Sequence, residues 1–152
     1  MDENPLKVLS RISLVMAGVG LGIGLAALFT WEWVEVAVIP DLGAAQVEVV
    51  EGYTPLAFLL VSSLGAPLVA GLLGLFEGLR TTSIKKSLVV SVGCLIGAVV
   101  LLVIAGIFIS QAGPGNGEQE GPVGFFDLIS LAGLSGLASL VTGLSTSIFG
   151  SR

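Results

Sequence analysis

Apolar residues along this chain concentrate in four long stretches, at about 12–31, 56–79, 87–110 and 126–149. Each block is about 20–24 residues long, which at 1.5 Å per residue covers about 30–36 Å. That length matches the hydrocarbon core of a bilayer crossed with little or modest tilt. Backbone polar groups in lipid must be satisfied within the segment, so each block predicts a helix. The shorter segments of alternating polarity that a transmembrane barrel needs are not seen. The expected architecture is all-α: a polytopic membrane protein whose four transmembrane helices form one bundle, a single transmembrane domain over 1–152.

The polar residues between the blocks orient this architecture. The six Lys and Arg are Lys7 and Arg11 before the first block, Arg80, Lys85 and Lys86 in the 80–86 loop, and Arg152 after the fourth block. All fall on one side of a four-span arrangement, so the positive-inside rule puts both termini and the 80–86 loop in the cytoplasm of a multi-pass cell-membrane protein. The acids show the opposite bias: Glu32, Glu35, Asp41, Glu48, Glu51, Glu118 and Glu120 fall in the outer loops, 32–54 and 111–122, with Asp127 at their edge, and only Asp2, Glu3 and Glu77 fall on the inner side. Trp31, Trp33 and Tyr53 sit where aromatic side chains settle at an interface. The first block is longer than the apolar region of a cleaved leader and lacks a small-residue cleavage site before the acidic loop.

Within 32–54, Val34, Val36 and Val38 alternate with Glu35 and Ala37, and Val47 and Val49 alternate with Gln46 and Glu48. A turn-type sequence, Pro40-Asp41-Leu42-Gly43, lies between them. Two readings remain open: a short β-hairpin, or continuation of the first helix beyond the membrane followed by irregular chain. The second outer loop, rich in Gly, Pro and Glu, reads as a solvated connector.

The second and fourth blocks align with each other at an offset of 72. Ala66, Leu68, Val69, Gly71 and Leu72 meet identical residues at Ala138, Leu140, Val141, Gly143 and Leu144, and Ser63 meets Ser135. Ser13-Leu14-Val15 echoes Ser87-Leu88-Val89 more weakly at offset 74. The pattern suggests two tandem helical hairpins in parallel repeat. Small residues at a spacing of four supply the close packing that lipid cannot drive hydrophobically. They include Gly18 and Gly22 in the first block, Ser62, Ala66, Ala70, Gly74 and Gly78 in the second, and Gly93 and Gly97 in the third. Ser135, Ser139, Gly143 and Ser147 continue the pattern in the fourth. Most of these seams are expected to close the bundle, with one, on the first or third helix, left for self-association.

Composition limits the chemistry. Hydrophobic residues make up 54% of the chain before its 22 glycines are counted. Charged residues are 11%, against about 25% in soluble domains. With no His and one Cys, there is no ligand set for a metal, no nucleophile–His–acid combination, no phosphate loop and no nucleic-acid patch. Cys94 reads as a small hydrophobe. Near the membrane, Glu77 and Arg80, three residues apart, are in reach for an interfacial ion pair. Pro67 is the most distinctive position: it cannot donate to the carbonyl of Ser63 and interrupts its helix at mid-bilayer. The freed carbonyl with Ser62, Ser63, Ser135 and Ser139 makes a candidate midplane polar site of the kind transporters place on interrupted helices.

The acid-rich, Lys-poor outer loops, the Val/Gly/Leu-rich spans and the Gly-Pro-Gly-Asn-Gly-Glu-Gln-Glu stretch resemble small four-helix membrane proteins of halophilic archaea. The resemblance is compositional and implies neither an activity nor site residues. The sequence therefore leads to an integral membrane protein without enzymatic activity or cofactor. Its expected role is structural or accessory, with the lipid bilayer, a second copy or another membrane protein as partner and no nucleic acid. The alternative is a small channel or carrier for a small solute, with its site near the Pro67 kink.

Overall fold

The computed structural model describes residues 4–79, 84–111 and 125–150. Four helices account for nearly all of them: α1 (Pro5–Ala37), α2 (Ala44–Gly78), α3 (Ile84–Gln111) and α4 (Phe125–Gly150). All four are long and apolar enough to cross a membrane, and they pack as a bundle. This is a multi-pass membrane protein by its helices and their packing.

The outer loop 32–54 is helical. Its strand-like alternation resolves into two helix faces: Val34 is buried and Val38 half-buried, whereas Val36 between them is 78% exposed. A 3-10 turn over Ile39–Asp41, with Pro40 fixing its start, reverses the chain. Gln46 Oε1 then accepts the Gly43 N–H at 3.1 Å and caps α2. α1 and α2 are 33 and 35 residues long, about 50 Å each at the α-helical rise. They start and end well beyond the blocks 12–31 and 56–79 on the acidic side, and α1 also begins earlier at the basic end. There Asn4 accepts the Leu6 N–H and Pro5 occupies the first turn.

α3 is the hub, packing against all three other helices, whereas α1 packs chiefly on α3 and lightly on α2. Helices of equal direction pair. Ile12 meets Gly93, Met16 meets Gly97, Gly20 meets Leu101 and Gly24 meets Phe108, so α1 and α3 run parallel. α2 and α4 run parallel as well, with Gly71 against Thr142 and Gly78 against Ser147. That register follows the 72-residue offset of the internal alignment. The α1–α3 contacts lie about two turns from the weaker offset of 74.

The two ends of the bundle differ. At the basic end the helices begin or finish close together, with Ser147 on α4 touching both Ser87 on α3 and Gly78 on α2. At the acidic end Val34 clusters with Ile109, close to the end of α3 at Gln111. The rest of α1, the turn and the first part of α2 therefore project past α3.

Candidate functional site

The polar residues expected at mid-membrane centre on Ser63. Pro67 lies inside α2 and has no N–H to give the Ser63 carbonyl four residues back. Ser135 Oγ, on α4, donates to that carbonyl at 2.8 Å. The repeat-equivalent serine thus occupies the acceptor that proline leaves open. The remaining hydroxyls are also engaged. Ser62 Oγ donates to the Phe58 carbonyl at 2.8 Å, Ser63 Oγ to Leu60 at 2.9 Å and Ser139 Oγ to Ser135 at 2.7 Å. All are the back-bonds common for Ser in membrane helices. The sequence therefore placed these five residues in one region, and the structure joins Ser63, Pro67 and Ser135 into an inter-helix link.

Two more links follow the same logic toward the basic end. Ser91 Oγ on α3 donates to the Leu140 carbonyl of α4 at 2.8 Å, and Ser147 Oγ donates to Ser87 Oγ at 3.0 Å. Ser87 and Ser91 were not recognisable as site residues, because nothing in a Ser-rich apolar helix marks which hydroxyl reaches a neighbour. Among the described residues, Ser13 Oγ on α1 is a buried side-chain oxygen without a hydrogen-bond partner.

Glycines set how closely the helices approach. A Cβ at Gly74 would lie 2.6 Å from the Gly143 carbonyl oxygen, and one at Gly20 would lie 2.6 Å from that of Leu101. Gly78, Gly93 and Gly97 likewise face Ser147, Ile12 and Met16. Cys94 fills the centre: its Sγ lies 3.7 Å from the Ala70 carbonyl of α2 and would be 2.8 Å from a Cβ at Gly143 of α4. Gly18 and Gly22, by contrast, have nothing within 4 Å and lie on the open face of α1. The internal seam of α1 is the other glycine pair, Gly20 and Gly24.

At the basic end, Glu77 is buried and forms an ion pair with Arg11 of α1. Arg80, its expected partner in sequence, lies outside the described residues, as does the connector 112–122. The Arg11 side chain is 40% exposed while that of Glu77 is 11% exposed. The acid is thus held inside the bundle and the base reaches its rim. No three His, Cys, Asp or Glu side chains among the described residues come together as a metal site. No protein family, curated protein or solved structure matches this chain.

Proposed function

We propose that this integral membrane protein is structural or accessory rather than enzymatic, acting by packing with a second copy or with another membrane protein. The observation that carries the reading is the Ser135–Ser63 hydrogen bond. The acceptor that could have made a midplane solute site is occupied from within the chain, and the surrounding hydroxyls bond to backbone carbonyls. The open Gly18–Gly22 face of α1 is compatible with association, since small residues let helices approach closely. The partition of Lys and Arg supports an orientation with the basic end, and both termini, in the cytoplasm of the cell membrane.

The test combines association with flux. Gly18→Cys and Gly22→Cys variants in native membranes should give a cross-linked dimer or a discrete adduct with a second protein. Liposomes containing the folded protein should pass ions and small neutral solutes no faster than empty ones. A lone monomer with no adduct would defeat the structural reading. Sustained flux would replace it with the channel or carrier reading, which rests on Pro67 interrupting α2 beside the Ser63 carbonyl.

A further inference from the structure

We infer that the basic end of the bundle is a docking surface for the headgroups of anionic phospholipids. Four of the cations lie there among the described residues: Lys7 and Arg11 one turn apart on α1, and Lys85 and Lys86 at the start of α3. Lys7 and Lys85 are exposed, with their ammonium groups available at the rim. The parallel register of α1 and α3 keeps Lys7 and Lys85 within about 5 Å of one height, since Ile12 meets Gly93 and the two lysines lie five and eight residues before them.

One acid among the described residues, Glu77, occupies this end, and its charge is countered. It is drawn into the bundle and paired with Arg11. The Arg11 side chain is 40% exposed and lies one turn from Lys7 on α1. By sequence, the segments at this end carry six Lys and Arg against Asp2, Glu3 and Glu77, a net charge of +3. The opposite end carries Glu32 beside the Val34–Ile109 contact and, on the segment that projects past α3, Glu35, Asp41 and Glu48, all exposed. A headgroup phosphate is attracted by one end and repelled by the other.

Shape favours the same partner. The helices terminate close together at the basic end, so Lys7 and Lys85 sit on a rim rather than on a projecting knob. That arrangement fits a planar layer of phosphates, and basic residues next to membrane helices recognise anionic headgroups. Direct ammonium–phosphate contacts at about 3 Å survive strong screening, because the Debye length is still about 3 Å in molar salt.

The experiment uses the full chain purified in zwitterionic detergent with equimolar phosphatidylglycerol and phosphatidylcholine, the retained lipids being counted by native mass spectrometry. Phosphatidylglycerol should be retained preferentially. Lys7→Gln with Lys85→Gln should reduce that preference by about thirtyfold, at the usual contribution of each basic residue near an anionic surface. Both side chains are exposed, so the double variant should melt with the parent in detergent alone, and Lys7→Arg with Lys85→Arg should restore retention. Glu77→Gln should preserve or raise it. Equal retention of the two lipids, or full retention by the double glutamine variant, would overturn the inference. Displacement of the lipid by millimolar inorganic phosphate would do so too, by showing a site for the free ion.

Discussion

At the scale of single residues, the link between Pro67 and Ser135 makes a sharp prediction because a chemical reason ties the two positions. Ser135→Ala removes the donor to the Ser63 carbonyl and should destabilise the bundle by about 0.6 kcal/mol, the average for inter-helix hydrogen bonds in membranes, and by no more than about 1.7 kcal/mol. In a Pro67→Ala background the new N–H can take that carbonyl, so the same Ser135→Ala change should cost less. A double-mutant cycle read by reversible unfolding in mixed micelles checks this coupling. Purely additive effects would show that Ser135 does not compensate for the proline. Glycines give a second contrast. Gly74→Ala drives a methyl into the Gly143 carbonyl and should cost about 1–3 kcal/mol, the usual range for overpacking. Gly18→Ala meets nothing within the chain, and its unfolding should match the parent in the monomer.

At the scale of elements, the four spans were legible because apolar runs of this length have few alternatives, but their ends were not. Membrane helices are apolar on every side, so the pattern that normally shows which face is buried is missing. Gly18, Gly20, Gly22 and Gly24 offer two interleaved rows, and only packing chose Gly20 and Gly24, in line with Ile12 and Met16, over Gly18 and Gly22. The segment 34–50 misled for a related reason. Alternating Val is strand-like by rule, yet a helix uses Val34 with Val38, and Val47 with Val50, and leaves Val36 and Val49 exposed. Of the candidate site, the relation of Ser63, Pro67 and Ser135 was readable from missing-donor chemistry and the 72-residue offset. The Arg11–Glu77 pair was not, because it joins residues 66 apart in sequence. Spin labels placed singly through 44–54 should show a period near 3.6, with lower accessibility at Val47, Val50 and Glu51 than at Glu48, Val49 and Tyr53. A period of two would restore the β-hairpin.

For the whole molecule, the decisive quantity is which end faces which compartment. Cysteines introduced at Ala44 and Gly117 should react with an impermeant thiol reagent added to intact cells, and one at Ser83 should not. Native Cys94, with no exposed surface, should stay silent in the folded protein. Labelling at Ser83 but not Ala44 would invert the proposed orientation, and labelling at both would mean that one span fails to cross.

The hub position of α3 and the late arrival of α4 bear on how the chain is made. Synthesis delivers α1 and α2 first, yet α1 finds its main contact surface only when α3 follows. The Ser63 carbonyl waits longer, since its donor Ser135 belongs to the last helix. A nascent chain holding only the first hairpin therefore exposes the glycine rows of both helices and an unbonded carbonyl in the bilayer interior. Such an intermediate is a natural client for insertion chaperones and membrane proteases, and its lifetime ends when the fourth helix enters and Ser135 closes the gap.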